Sequence, residues 1–164
     1  MNVRLAQIDD LNKILEIYEN ARRFMREVGN PNQWGVTNPP KSRTLEDIAT
    51  QKLHVVTENE DILAVFFFDI ADDPTYAKIY DGQWLNEKPY GVIHRIAVSD
   101  AARGKGVAGF CFDYAYSKCK NIKIDTHIDN IPMQKALAKH GFTKCGTIFL
   151  ANGDARIAFQ KTEE

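Results

Sequence analysis

The stretch that decides the fold runs from residue 91 to residue 109 and reads GVIHRIAVSDAARGKGVAG. Its first half is an apolar run that predicts a β-strand, and a helix is predicted to begin after the glycines and to run to about Lys120. The glycines at positions 104, 106 and 109 fit the pattern G-x-G-x-x-G, which is typical of dinucleotide-binding loops. Free N–H groups at the start of a helix bind phosphate well, so the stretch predicts a turn that holds a phosphate group.

The spacing around these glycines argues against a dinucleotide-binding domain. In such domains the first strand runs directly into the first glycine, whereas residues 99–103 intervene here. The chain after Gly109 is also too short for two βαβαβ halves, and it ends in a predicted hairpin around Asn152-Gly153. A Walker loop is excluded because the sequence contains no G-x-x-x-x-G-K-[ST] motif. A nucleotide-dependent oxidoreductase is therefore the least favoured function.

The hydrophobic periodicity of the chain predicts the element order β-α-α-β-β-β-α-β-α-β-β. Asp9 or Asp10 is expected to cap a first helix that runs to about Val28, and a short second helix is expected to begin at Thr44. This order predicts an α+β (mixed α/β) domain whose central sheet carries helices on both faces. We expect residues 1–164 to form one domain, because no linker or repeat divides them.

Composition and charge exclude several classes of protein. Apolar residues make up 44% and charged residues 26% of the 164 residues, which is typical of a soluble globular protein. The net charge of −1 argues against nucleic acid or an anionic membrane as a partner, and no apolar run is long enough to span a membrane. The three cysteines have no metal-ligand spacing and the N-terminus lacks a signal-peptide core. We therefore expect reduced thiols, no metal and a cytoplasmic location.

Two motifs resemble those of the GNAT superfamily of N-acetyltransferases. Residues 103–108 match the motif [QR]-x-x-G-x-[GA], and residues 94–108, HRIAVSDAARGKGVA, resemble the strand and loop of that family as one unit. Residues 129–142, DNIPMQKALAKHGF, resemble its next segment, with Asn130 and Gly141 in register. The resemblance implies a small bacterial-type acyltransferase with a GNAT-like fold. In that fold a mostly antiparallel, twisted central sheet of six or seven strands carries about four helices on both faces.

The resemblance also implies that acetyl-CoA is the cosubstrate and that these two segments bind coenzyme A. The implied contacts are the backbone of the fourth strand, the amides of the glycine loop and Asn130, which we also expect to cap the next helix. Local charge agrees, because eight Lys or Arg and three Asp lie between Arg103 and Lys144. The implied coenzyme-binding residues are Ile96, Ala97, Val98, Arg103, Gly104, Lys105, Gly106, Val107, Ala108 and Asn130.

The implied reaction is acetyl transfer to a primary amine of a small molecule, an amino acid or a peptide. An alkylammonium has a pKa of about 10.4, so the amine must lose a proton before it attacks. We favour His94 on the predicted fourth strand as the general base, because imidazole titrates near neutral pH, with His127 as the second candidate. The alternative is that His94 is a structural histidine of the sheet. Asp125 is expected to be structural, paired with Arg95 or a loop amide.

The sequence departs from the family pattern at the position of the general acid. Many members carry a tyrosine seven residues after the asparagine, whereas this chain has Leu137. Tyr114, Tyr116 or Cys145 is a possible substitute, or the thiolate leaves without a proton donor. The departure leaves open a second function, that of a non-catalytic module that binds acetyl-CoA.

Aromatic residues are unusually frequent in two segments predicted to be irregular, the loop after the first helix and residues 71–90. Aromatic rings with a polar tip suit the wall of a pocket for a small amine, and the alternative is that they cover an open edge of the sheet. The acidic turn DIADDP at residues 69–74 is interpreted as an exposed loop. The expected acceptor-binding residues are Gln33, Trp34, Tyr80 and Trp84. The resemblance further implies a homodimer as one possible assembly.

Overall fold

Seven strands and four helices make up the computed structural model, which describes residues 1–163. Three short 3-10 turns, at Ile8–Asp10, Pro74–Tyr76 and Asp100–Ala102, lie in the connections between them. None of the helices in the described part of the chain combines the length and apolar character needed to cross a membrane. In chain order the elements are β1 (Asn2–Leu5), α1 (Leu11–Glu27), α2 (Lys41–Ala49), β2 (Leu53–Glu58), β3 (Asp61–Ile70), β4 (Gly91–Val98), α3 (Val107–Lys118), β5 (Asn121–Thr126), α4 (Ile131–Lys139), β6 (Thr143–Phe149) and β7 (Ala155–Thr162).

The strands form one sheet in the order β1-β2-β3-β4-β5-β7-β6. Within residues 1–163, every neighbouring pair of strands is antiparallel except β4 and β5, which are parallel. The predicted order of elements and the mostly antiparallel sheet are therefore confirmed. The single parallel pair at the centre follows from α3, which carries the chain back across the sheet between these two strands.

The helices cover both faces of the sheet, as predicted. On one face α1 buries Ile14, Ile17 and Tyr18 against β2 and β3, at the three- to four-residue spacing of a helix. On the other face α3 buries Cys111 and Phe112 in a second core, to which α4 contributes. Each large apolar side chain removed from water stabilises the fold by roughly 1.5–3 kcal/mol, so both layers hold the sheet in place.

One predicted helix start and one predicted helix cap differ from the structure. Helix α2 begins at Lys41, three residues before Thr44 and directly after Pro40. A proline disfavours helical backbone in the residue that precedes it, so the helix does not extend back to Pro39. Asp10 occupies the position before α1, but its carboxylate does not cap the helix. It accepts instead from the Arg4 guanidinium at 2.8 and 2.9 Å and from the Gln7 amide at 2.8 Å.

The centre of the sheet opens where β4 and β5 separate. The two strands pair only through Gly91 and Val92 of β4, while β5 continues alongside β7 to Thr126. A β-bulge in β4 causes this divergence, since Arg95 and Ile96 together lie opposite the single residue Phe66 of β3. The edge of β4 that faces β5 therefore has no strand partner beyond Val92.

Arg95 adopts a backbone φ of +49° at this bulge, a conformation that costs a non-glycine residue about 1–3 kcal/mol. Contacts on three sides hold it there. Its guanidinium donates to the Asp47 carboxylate at 2.7 and 3.1 Å and lies 4.6 Å from the Phe67 ring centroid. Its carbonyl oxygen accepts from the Tyr18 hydroxyl at 2.8 Å. Helices α1 and α2 thus support the bend in β4.

We expect the substitution Asp47→Ala to lower the free energy of unfolding by about 3 kcal/mol. The Asp47 side chain is only 4% exposed, and its removal leaves the Arg95 guanidinium without its counter-ion. The matched control on the same helix is Glu46→Ala, which removes an exposed surface pair with Arg43 and should cost less than about 1 kcal/mol. Urea unfolding measures both values, and equal losses would contradict the supporting role of Asp47.

Candidate active site

A groove of about 460 Å³ lies between α1, the end of β4, the glycine loop and α4. We call it the glycine-loop groove. Its wall combines backbone from β4 and the loop with apolar side chains of the two helices. Among the residues that line it are Phe24, Met25, Ile96, Ala97, Val98, Arg103, Gly104, Gly106, Val107, Ala108, Asn130, Met133, Lys139 and His140.

The glycine loop presents unpaired backbone donors to this groove. Gly104 and Gly106 have φ values of +83° and +77°, which favour glycine, and no atom lies within 4 Å of the Cβ that another residue would carry. Within residues 1–163, no acceptor bonds the amides of Gly104, Gly106, Val107 or Ala108. Free amides at the start of a helix attract anions, so the loop has the features of a phosphate site.

Positive charge near the loop comes from both sides of the groove. Arg103 donates to Asp100 of the preceding 3-10 turn and lies 3.9 Å from the ring centroid of Phe24 on α1, so its charge is partly offset. Lys105 lies exposed on the loop, and Lys139 and His140 line the groove from α4. An anion in the groove therefore meets the Lys139 side chain as well as backbone amides, with Lys105 on the loop nearby.

A second cavity of about 360 Å³ lies on the other side of the opening between β4 and β5. We call it the polar cavity. It brings together side chains from the loop after α1, the segment before β4, and strands β4, β5 and β7. Among the residues that line it are Met25, Gln33, Trp34, Asp73, Thr75, His94, Ile96, Asp125, Thr126, Asn130, Met133 and Arg156.

His94 and Asp73 form a hydrogen-bonded pair in the polar cavity. The His94 Nε2 atom lies 2.7 Å from Asp73 Oδ2, and the Thr75 amide and hydroxyl donate to Asp73 Oδ1 at 2.9 and 2.7 Å. Burial raises the pKa of Asp73, but the hydrogen bonds from His94 and Thr75 lower it by more, to about 2. An ionised Asp73 requires His94 Nε2 to be the donor, which leaves Nδ1 as the nitrogen that can accept a proton.

Asp125 of β5 is a second acid in the polar cavity. Its carboxylate accepts from the buried hydroxyl of Tyr76 at 2.5 Å, and burial raises its pKa above the ordinary value. The prediction that Asp125 pairs with Arg95 or a loop amide is therefore wrong. Arg95 pairs with Asp47 instead, because the bulge turns its side chain toward α2.

The two cavities meet at the β-bulge. They share the residues Met25, Ile96, Asn130 and Met133, so a ligand can extend from the glycine loop past Ile96 toward His94. The Asn130 carboxamide accepts from the Met133 amide at 3.1 Å, which confirms the predicted helix cap. The same carboxamide donates to Gln33 Oε1 at 2.8 Å and thereby joins α4 to the loop after α1.

Besides Lys105, which lies exposed on the loop, three residues predicted for the site line neither cavity. Tyr80 pairs with Thr147 of β6 and its ring packs against Phe149. Trp84 donates to the Tyr76 carbonyl oxygen and packs against Lys123, and the His127 ring accepts from the Asp129 amide beyond the end of β5. Of the expected acceptor-binding residues, the structure brings only Gln33 and Trp34 to the polar cavity.

The proposed general acids also lie outside the two cavities. Leu137 is fully buried in the core between α4 and the sheet. Tyr114 packs beside His54 and Phe68, Tyr116 packs beneath Lys161, and Cys145 lies on β6. Among the described residues, no tyrosine or cysteine lines either cavity.

Sequence reasoning missed two charged residues of the polar cavity, Asp73 and Arg156. Asp73 belongs to the acidic turn interpreted above as an exposed loop, although Thr75 follows it two residues later. An aspartate at this spacing commonly accepts from the backbone and hydroxyl of such a residue, and this spacing is the signal for an ordered turn. Arg156 follows the hairpin turn, and nothing in its local sequence indicates burial.

Comparisons with known proteins agree with this geometry. The family model described as Acetyltransferase (GNAT) family matches residues 12–142. A GNAT-family acetyltransferase structure from Streptococcus agalactiae is 29% identical, with a TM-score of 0.90 over 99% of this chain and 95% of that one. No curated protein sequence matches. The chain belongs to the GNAT family of acetyltransferases.

More distant structures support the fold alone. A GNAT-family acetyltransferase from Bacillus cereus is 24% identical, with a TM-score of 0.63 over 99% of this chain and 98% of that one. A ribosomal-protein-alanine N-acetyltransferase from Brucella melitensis is 17% identical, with a TM-score of 0.64 over 99% of each chain. The GNAT-like fold class predicted from the sequence is thereby confirmed.

Proposed function

We propose that this protein transfers an acetyl group from acetyl-CoA to the primary amine of a small acceptor, with His94 as the general base. The observation that carries the proposal is the junction at Ile96 between two unlike cavities. One cavity has free amides and a lysine that suit a diphosphate, and the other holds a histidine whose proton-accepting nitrogen is defined by an ionised carboxylate.

The glycine-loop groove has the chemistry that coenzyme A requires. The amides of Gly104, Gly106, Val107 and Ala108 would hold the pyrophosphate, with Lys105 and Lys139 offsetting its charge. The unpaired edge of β4 from Ile96 to Val98 can pair with the amide groups of the pantetheine arm, as an added strand would. When bound, the coenzyme supplies an activated thioester carbonyl.

In the polar cavity, side chains of this protein remove the proton from the acceptor amine. His94 Nδ1 accepts the proton from the acceptor ammonium, and Asp73 stabilises the imidazolium that results. The amine nitrogen then forms the amide bond as the carbon–sulfur bond of the thioester breaks. In this proposal a backbone amide between Ile96 and Val98 donates to the carbonyl oxygen, where a fixed donor contributes several kcal/mol.

No side-chain acid is assigned to the departing sulfur. A thiol has a pKa of about 8.5, so a thiolate leaves without protonation near neutral pH. The lack of a tyrosine at either cavity wall, within residues 1–163, favours one alternative function, a module that binds acetyl-CoA and does not turn it over. Release of free thiol from acetyl-CoA in the presence of primary amines separates the two, because only the enzyme releases it at a rate that depends on the amine.

We expect acetyl-CoA to stabilise the protein by about 2.7 kcal/mol at a concentration 100 times its Kd. Thermal unfolding measures this effect, with coenzyme A as a second ligand and NAD as the matched nucleotide control. NAD carries an adenosine diphosphate unit without the 3′-phosphate of coenzyme A, and it has no pantetheine arm for the free edge of β4. A shift with NAD as large as that with acetyl-CoA would contradict the assignment of the groove.

A further inference from the structure

Arg156 of β7 is a buried arginine in the wall of the polar cavity. Only 6% of the residue is exposed, and it lies on the strand next to β5, which carries Asp125. A guanidinium keeps its charge at physiological pH, and burying it without a counter-ion is costly. An arginine in this position therefore needs an explanation.

The Arg156 guanidinium is poorly paired within the protein. It donates to the Ala155 carbonyl oxygen at 2.9 Å and to the Gln33 carbonyl oxygen at 3.3 Å. In the described part of the chain no carboxylate lies within 4.0 Å of it, and three of its five N–H donors have no acceptor. The partly buried Arg95, by contrast, is held by two hydrogen bonds to Asp47.

The polar cavity holds charged or titratable groups on strands β4, β5 and β7. Asp73 pairs with His94 of β4, where a substrate ammonium must release its proton. Asp125 of β5 interacts electrostatically with both His94 and Arg156, and these interactions oppose the rise in its pKa that burial causes. Asp125 pairs in register with Ala158, so Arg156, two residues earlier on the same face of β7, lies diagonally across from it. The backbones of diagonal neighbours on paired strands are about 7–8 Å apart, so one small molecule with both an ammonium and a carboxylate can contact both side chains.

We propose that the acceptor is a small amine that also carries a carboxylate, as a free amino acid does, and that Arg156 binds this carboxylate. The proposal rests on the proposed acetyl transfer and names the substrate class of the same site. An arginine binds a carboxylate in bidentate geometry. A cavity of about 360 Å³ is large enough for such a molecule.

The test compares acceptors that differ only in the carboxylate. Thiol release from acetyl-CoA is measured with L-amino acids and with the matched amines that lack the carboxylate, for example phenylalanine with phenethylamine and lysine with 1,5-diaminopentane. We expect the wild type to favour the amino acid by about 10- to 100-fold in kcat/KM. Arg156→Met should bring that ratio close to one, and Arg156→Lys, which keeps the charge but not the bidentate geometry, should give an intermediate ratio. The control Arg43→Met, at an exposed position on α2, should keep the wild-type ratio.

Calorimetric binding of the same pairs separates failure of this proposal from failure of the proposed function. If no acceptor releases thiol but the wild type binds the amino acids more tightly than the amines, and Arg156→Met does not, the acetyl transfer is wrong and the carboxylate site stands. If amines and amino acids bind and react equally well, or if the preference survives in Arg156→Met, the carboxylate site is wrong. Faster reaction of dipeptides than of free amino acids would also overturn it, because a dipeptide carries its carboxylate farther from the N-terminal amine. Should Arg156→Met fail to fold in a thermal scan, Arg156→Lys carries the comparison.

Discussion

Replacing His94 with alanine is expected to lower kcat/KM for amine acetylation by about 10²- to 10⁴-fold and to leave the Kd for acetyl-CoA unchanged. The imidazole lines the polar cavity and does not line the glycine-loop groove, so its loss removes the proton acceptor without altering the phosphate site. Steady-state thiol release measures the first quantity, and calorimetric titration with acetyl-CoA measures the second.

His127→Ala is the matched control for this prediction. His127 is the second candidate for the base by sequence, but it lines neither cavity, so the variant should keep the wild-type kcat/KM. Asp73→Asn should reduce kcat/KM by less than His94→Ala, because it keeps the shape of the pair and removes only the charge that stabilises the imidazolium. The pKa of Asp73 is about 2, so its carboxylate does not itself titrate in a neutral assay. If His94→Ala and His127→Ala have equal activity, His94 is not the base.

The parts of the fold that are predicted correctly are those encoded by local sequence. The apolar spacing of α1 and the continuous apolar run of β3 each define an element without reference to the rest of the chain. Gly104 and Gly106 likewise reveal a turn with positive φ, because few other residues adopt that conformation. The order of elements and the position of the glycine loop therefore follow from the amino-acid sequence alone.

The composition of the polar cavity could not be predicted in the same way, because it depends on contacts distant in sequence. Asp73 belongs to the site because it is hydrogen-bonded to His94, 21 positions later in the chain. Arg156 is held there by a hydrogen bond to the Gln33 carbonyl oxygen, 123 positions earlier. The aromatic residues Tyr80 and Trp84 show the converse problem. An aromatic side chain suits either a pocket wall or a cover for the sheet. Only the folded structure shows that Tyr80 packs against β6 and Trp84 against Lys123.

Leu137 shows that a shift of one residue along α4 determines whether a side chain packs in the core or lines the groove. The side chain is fully buried, and its neighbours one position before and two positions after, Ala136 and Lys139, line the glycine-loop groove. A helix turns about 100° per residue, so the face that meets the groove and the face that meets the sheet alternate within one turn. The position of Leu137 in the sequence motif therefore does not show whether its side chain faces the groove or the sheet.

Replacing Gly106 with valine is expected to weaken acetyl-CoA binding by about 10²- to 10⁴-fold. Gly106 has a φ of +77° and open space where a Cβ would lie, at the start of α3. A branched side chain would occupy the space that an anion needs to approach the amides. Hydrogen bonds to charged groups contribute about 1.5–3 kcal/mol each, and the loss of two of them accounts for this range.

The control Gly153→Val separates loss of binding from loss of stability. Gly153 lies in the turn between β6 and β7 with a φ of +91°, and its Cβ position is equally free of neighbours. Both substitutions force a branched residue into left-handed backbone, so both should destabilise the fold by a similar amount, about 1–3 kcal/mol. Calorimetric titration at a temperature where both variants are folded should show wild-type affinity for acetyl-CoA in Gly153→Val alone. If Gly106→Val retains wild-type affinity, the glycine loop does not hold the pyrophosphate, and the proposed placement of the thioester beside His94 fails with it.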